Sequence, residues 1–402
     1  MAEQYSAVKV TDRVHWVGAV DWALRNFHGY ATSRGTTYNA YLILAEKVTL
    51  VDATKPAYRD ELMGRIASVV EPGRIDYVVS NHSEMDHSGC LLDVAAAVRA
   101  EKIFASRQGA AALKAHFHSP TEVAAVQDGQ ELSLGDCKLS FFETRMCHWP
   151  DSMVSYLHED ELLFSQDAFG MHLATGERYD DQVPDWLLLH EAAKYYANIL
   201  LPMSSFVARA LAKLTDSGLS FRVIAPDHGP IWRSDPGRVI GWYARWSGQE
   251  RANRAAVVYD TMWGSTERMA RAVGEGLASG GTAVQLLPLD GSHRSDVAAE
   301  ILDAGALLLG SPTINGQMFP TVADVLCYLK GLKPKGLIGA AFGSYGWGGE
   351  ATKHLAAALD EMGVEQVADP IRVKYVPTDE DLGNCRRLGL LIADRLKKAY
   401  GE

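Results

Sequence analysis

Ser80-Asn81-His82-Ser83-Glu84-Met85-Asp86-His87-Ser88-Gly89 is the stretch on which the reading of this chain turns, because it places four metal-capable side chains, His82, Glu84, Asp86 and His87, within six positions. The run before it, Ile75-Asp76-Tyr77-Val78-Val79, is β-branched and aromatic. It predicts a buried strand with the four side chains on the loop leaving its carboxyl end, where open α/β sheets place their sites. Directly after a strand, residues two apart share a face, so His82, Glu84 and Asp86 converge while His87 follows round the turn. A single His or Asp in a loop usually serves a turn or a cap. Four so close together are better explained as half of a dinuclear metal site.

The same arrangement recurs outward from this stretch. Residues 139–144 read as a strand, and just past it stands His148-Trp149-Pro150-Asp151, where Pro150 fixes the backbone after His148. Residues 161–167 read as a strand ending in the carboxylate of Asp167, and residues 221–229 as a strand ending in the imidazole of His228. Of the 13 histidines, those directly following strands are His82, His148 and His228, whereas His116, His118, His190 and His354 fall in helical or turn contexts and read as structural. Residues 38–52 read as a β-hairpin, and a helix carrying Leu91, Leu92, Val94 and Val98 leads into a strand at 102–106, so this region mixes α and β. Upstream, Phe27-His28-Gly29-Tyr30 lies in an irregular loop whose aromatic and imidazole content suits the wall of a metal pocket. Plain packing is the other use for His28 and Tyr30.

A polar stretch at 247–254 marks a boundary, giving domains at 1–250 and 254–402. Residues 255–259 form a buried strand, and Asp260-Thr261-Met262-Trp263-Gly264-Ser265-Thr266 turns into a helix with Met269, Val273 and Leu277 on one face. Hydroxyls and backbone N–H groups at a helix N-terminus make an anion site, with Gly264 allowing close approach. Two further strand-to-loop runs follow, 306–310 into Pro312-Thr313-Ile314-Asn315 and 338–343 into Ser344-Tyr345-Gly346-Trp347-Gly348. In a doubly wound sheet three such loops gather at the carboxyl edge. Residues 254–402 resemble flavodoxin, and the resemblance implies that these loops hold FMN, its phosphate at the first and Tyr345 or Trp347 shielding the ring.

Composition narrows the function further. The 402 residues suit two domains, and 47% hydrophobic with 22% charged residues is ordinary for globular protein. A net charge of −11 argues against binding nucleic acid, which needs a basic face. No run reaches the roughly 18 apolar residues of a membrane span and the first residues are polar, which points to the cytoplasm. The five cysteines include no C-x-x-C pair, so no iron–sulfur or rubredoxin-type centre is encoded and electrons enter by another route.

The stretch at 82–87 resembles the His-x-His-x-Asp-His signature of the metallo-β-lactamase superfamily, with Glu84 in the second His position. A carboxylate there makes the site harder and moves the expected metal from zinc towards iron or manganese. It is also the variation that distinguishes flavodiiron proteins, and the resemblance to that family covers almost the whole chain. It implies an N-terminal metallo-β-lactamase-like αββα sandwich followed by a C-terminal flavodoxin-like doubly wound parallel sheet. Carried over residue by residue, it puts His82, Glu84, His148 and Asp167 on one iron and Asp86, His87, His228 and Asp167 on the other, with Asp167 bridging. The implied activity is reduction of dioxygen to water or nitric oxide to nitrous oxide at two irons fed by FMN. The donor is rubredoxin or a reduced deazaflavin, and the assembly is a head-to-tail homodimer or a dimer of such dimers. A zinc hydrolase fused to a flavodoxin module and an electron carrier with a vestigial metal domain are the alternatives, which metal analysis separates.

Overall fold

The computed structural model of the chain describes residues 5–401. Two compact units divide it: residues up to 28 with 32–195 and 205–244 form the first, and 29–31, 196–204 and 245 onward form the second.

In the first unit, strand Ile75–Ser80 lies between the parallel strands Val48–Val51 and Lys102–Ser106, in the middle of a seven-stranded sheet. A strand so placed is covered on both faces, which is why its sequence is an apolar run without alternation. Its Val78 packs with Leu62 and Ile66 of helix Arg59–Ala67 and with Leu91, Val94 and Val98 of helix Leu91–Val98. Its Val79 points the other way, into a core shared with the second sheet, where Val14, Tyr41 and Val51 meet Phe141, Met153, Phe164 and Ala225. That second sheet runs Glu131–Ser133, Lys138–Glu143, Met153–Leu157, Leu162–Gln166 in antiparallel order and closes with Val223–Pro226, parallel to its neighbour. The result is the expected αββα sandwich.

One expectation changes. The hairpin comprises only Tyr41–Ile43 and Val48–Val51, while Thr36–Tyr38 pairs with Ala19–Asp21. The break falls at Asn39, whose backbone N–H donates to Asp227 O and whose Nδ2 donates to Pro226 O and Gly229 O. The chain leaves the ladder there to clamp the loop that carries His228.

The second unit is a parallel sheet in the order Ala283–Pro288, Ala252–Tyr259, Ala304–Gly310, Ile338–Tyr345, with Glu365–Gln366 and Ile371–Lys374 on the last edge. This 2-1-3-4-5 order is flavodoxin-like, and its switch point lies between the first and third strands of the unit. Helices Ser265–Ser279 and Asp379–Tyr400 cross closely on one face. A Cβ on Gly389 would stand 2.2 Å from Val273 O, and one on Gly276 2.2 Å from Arg386 O. Among the described residues no helix is long and apolar enough to cross a membrane.

Candidate metal centre

Strand ends and one short helix bring the seven predicted side chains together. His82 comes two residues after strand Ile75–Ser80, and Asp86 and His87 follow on the four-residue helix Met85–Ser88. His148 stands in the connection between Lys138–Glu143 and Met153–Leu157, Asp167 directly follows Leu162–Gln166, and His228 comes two residues after Val223–Pro226. Gln166 has a left-handed φ of 48°, a conformation that residues with a Cβ rarely adopt. Its amide ties two ligand loops together, because Nε2 donates to Cys147 O at 2.6 Å while Oε1 accepts from Asp167 N at 2.6 Å.

The potential ligand atoms fall into two groups, His82, Glu84, His148 and Asp167 in one and Asp86, His87 and His228 in the other, each within 4.8 Å. Asp167 reaches both. Its Oδ2 lies 3.4 Å from His82 Nε2 and 3.0 Å from His148 Nε2, and its Oδ1 lies 3.2 Å from His87 Nε2 and 3.4 Å from His228 Nε2. Despite these approaches, His82 Nε2, His87 Nε2, both Asp86 oxygens and Asp167 Oδ1 are buried without hydrogen bonds. Leaving such groups unpaired costs about 1–3 kcal/mol each. Ligand atoms at right angles on one ion, with bonds of about 2.1 Å, stand about 3 Å apart. The spacing therefore fits a cation at each group.

Charge points the same way. Burial opposes a proton on His87, yet Asp86, Asp167 and Asp227 push its pKa up to about 10. Burial likewise opposes the charge of Glu84, and His148 and His82 pull it down to about 2. Three carboxylates and four imidazoles thus form a nest that calls for added positive charge, and two divalent ions supply it.

The outer imidazole nitrogens are also held. His82 Nδ1 lies 3.1 Å from Asp151 Oδ2, which also accepts from Ser83 N and Oγ. His87 Nδ1 faces Asp227 Oδ2 at 3.4 Å, and His228 Nδ1 donates to Thr37 O at 2.5 Å. Partners of this kind fix the tautomer and the ring orientation. Sequence reasoning passed over Asp151 and Asp227, although each stands within three residues of a ligand in Pro-Asp or Asp-His. His172 was also missed. It is buried, its Nδ1 is 2.9 Å from Thr36 Oγ1, and its ring packs 4.8 Å from that of His228. Burial, with His228 beside it, holds its pKa well below the ordinary value.

A cavity of about 700 Å³ opens onto Glu84 and Asp86, walled by Asn26, Phe27, His28, Lys55, Pro56, Ala57, Met85, His116 and Trp149. His28 is 74% exposed, and its Nε2 lies 3.5 Å from Glu84 Oε1. Tyr30 is buried, is not in this wall and belongs to the second unit. His116, read from sequence as structural, sits on helix Arg107–Phe117 and is part of this wall.

In the second unit a cavity of about 550 Å³ is lined by Met262, Trp263, Ser265, Pro312, Thr313, Ile314, Asn315, Ser344, Tyr345, Gly346 and Trp347, joined by Gly316 and Tyr375. Thr261, Gly264, Thr266 and Gly348 are not in this lining. Thr266 is buried with its hydroxyl 3.0 Å from Ser344 Oγ, and Gly348 has the Glu350 carboxylate where a Cβ would go. Thr261 Oγ1 is nonetheless buried with no hydrogen bond, and Gly264, with φ 79°, caps helix Ser265–Ser279 without a side-chain bond. An orphaned hydroxyl beside an uncapped helix start fits the phosphate of FMN. Tyr375, after the short edge strand Ile371–Lys374, carried no signal that marked it in the sequence.

Comparisons with known proteins agree with this geometry. A family described as ODP family beta lactamase matches residues 36–229, and the flavodoxin family matches residues 257–389. The chain is 46% identical to a nitric oxide reductase of Moorella thermoacetica over 393 residues, covering 97% of this chain and 98% of that protein. Among solved structures it resembles the rubredoxin oxygen:oxidoreductase of the anaerobe Desulfovibrio gigas at 44% identity and a TM-score of 0.95, covering 98% and 99% of the two chains. It also resembles the flavodiiron protein of Giardia intestinalis at 35% identity and a TM-score of 0.94, covering 98% and 97%. With a metallo-β-lactamase-like unit, a flavodoxin-like unit and full-length likeness to these proteins, the chain belongs to the flavodiiron family, whose cofactors are a diiron centre and FMN.

Proposed function

We propose that this protein reduces dioxygen, nitric oxide or both, and the observation that carries the reading is the Asp167 carboxylate, whose two oxygens face two separate ligand groups. His82, Glu84 and His148 hold one iron, Asp86, His87 and His228 hold the other, and Asp167 is shared. Glu84 favours iron over zinc because a carboxylate is a harder ligand than the imidazole it replaces. Two irons held there would bind a small gas and, with the flavin, would supply its electrons. The apolar part of the cavity wall, Phe27, Pro56, Ala57 and Trp149, suits a small uncharged gas. His28, exposed at one end and close to Glu84 at the other, is placed to carry protons inward.

Met262, Trp263, Ser265, residues 312–315 and residues 344–347 would hold FMN, with the unpaired Thr261 hydroxyl and the amide groups of the first loop available to its phosphate. Trp263 and Trp347, 93% and 87% exposed at the cavity mouth, suit a surface that meets another molecule. We extend this to a head-to-tail homodimer, or a dimer of such dimers, in which the flavin of one copy serves the metals of the next. Rubredoxin or a reduced deazaflavin is the donor. The five free thiols suit a reducing compartment and thus the cytoplasm.

Anaerobic reconstitution, metal analysis and steady-state turnover with each gas and each donor test the reading. Two irons and one FMN per chain, with donor-dependent consumption of one or both gases, is the expected outcome. A zinc-filled protein that consumes neither gas and hydrolyses a bound substrate overturns it.

A further inference from the structure

The cavity that opens onto Glu84 and Asp86 has one sulfur atom among its lining residues, the thioether of Met85. Met85 stands between those two carboxylates in the chain and begins the four-residue helix that carries Asp86 and His87. It is 51% exposed, whereas Met153, Met171 and Met269 are fully buried. The nearby thiols are shielded: Cys90 and Cys147 are both buried, and burial pushes Cys147 up to about 12, which keeps it from the reactive thiolate form. Met262 provides a natural control. It is 45% exposed and lines the cavity of the second unit.

We propose that Met85 is a modification site: hydrogen peroxide released when dioxygen takes up only two electrons and two protons oxidises its thioether to the sulfoxide, and this slows the enzyme. The inference rests on the dioxygen-reducing reading above. A sulfur lone pair attacks one peroxide oxygen, the O–O bond breaks as the S–O bond forms, and the other oxygen leaves as water with both peroxide protons. Sulfur is oxidised by two electrons and peroxide is reduced by two. The product is polar and bulkier, on a helix whose first turn is closed by His87 N and Ser88 N donating to Glu84 O at 3.0 and 2.9 Å. A change at that wall therefore acts on the segment that presents three of the ligands.

The test compares two treatments of the iron- and FMN-loaded protein, followed by peptide mass spectrometry of its methionines. During dioxygen turnover with catalase in the solution, sulfoxide still accumulates at Met85, because peroxide arises beside it and reacts before it mixes with the solution. With peroxide added from solution, the two comparably exposed residues oxidise at similar rates. Activity falls in proportion to Met85 sulfoxide and returns on treatment with methionine sulfoxide reductase, while Met85→Leu, a swap of similar volume, sustains more turnovers before half of its own initial rate is lost. Dioxygen consumption with Met85 unmodified, or a Met85→Leu variant that loses activity at the wild-type pace, overturns the proposal. Failure to consume dioxygen counts against the functional reading instead. In that case, added peroxide that modifies Met262 and spares Met85 still overturns the assignment.

Discussion

The two cavities are built on opposite principles. The metal site is made of buried charged and imidazole side chains whose polar atoms point at one another with few hydrogen bonds, held by outer partners such as Asp151 and Gln166. The flavin cavity is made of loops, small residues and aromatic rings, two of them almost fully exposed. Burying charge without compensation is costly, so the first site is completed only with its cations, whereas the second is a shape that stands by itself. Perturbations should separate accordingly: changes in the first unit move metal content and leave flavin alone, and changes in the second do the reverse.

The largest effect is expected from Asp167→Asn, which removes the carboxylate shared by both groups. Elemental analysis should find at least one iron lost per chain while flavin absorbance is unchanged. Two full irons in the variant show that Asp167 is not the bridge. Glu84→His restores the imidazole of the zinc hydrolases. Iron occupancy should fall in favour of zinc and gas consumption should stop, with FMN retained. A zinc-loaded variant that still consumes dioxygen contradicts the role given to Glu84.

Smaller effects sharpen the contrast. Asp151→Ala removes the partner of His82 Nδ1, so metal affinity should fall by about 10- to 100-fold in a chelator competition. Gly389→Ala forces a Cβ against Val273 O and should destabilise the second unit by about 1–3 kcal/mol in denaturant unfolding, leaving iron content per folded chain intact. The mildest is Trp347→Ala. Losing one exposed ring contact, worth about 0.5–1.5 kcal/mol, should weaken FMN binding by roughly two- to twelvefold, read by flavin fluorescence, with no change in metal.

How much of this was visible in the sequence follows from how local each feature is. His82, Glu84, Asp86 and His87 are adjacent in the chain, and His148, Asp167 and His228 follow strand-like runs, so strand propensity placed each at a strand end, and the resemblance to flavodiiron proteins gathered them into one site. Asp151 and Asp227 were just as local, yet they were passed over because a carboxylate beside a ligand looks like an ordinary turn residue. His172 lies in the irregular chain after Asp167, where no periodicity exists to say which way a ring points. The break at Asn39 was hidden for a different reason: Tyr38 and residues 41–43 favour a strand on either side of Asn39 and Ala40, and the acceptors on Pro226 and Gly229 that draw the chain out of the ladder are far away in sequence. Sequence also could not separate the loop residues that line the flavin cavity from those packed out of it, such as Thr266, because both are small and polar.

The most direct test of the central claim is a crystal structure of the iron-loaded protein with anomalous scattering recorded at the iron edge. The account predicts two iron peaks of equal height, one among His82, Glu84 and His148 and one among Asp86, His87 and His228, with one oxygen of Asp167 on each. A single peak, or two peaks of which only one touches Asp167, contradicts it.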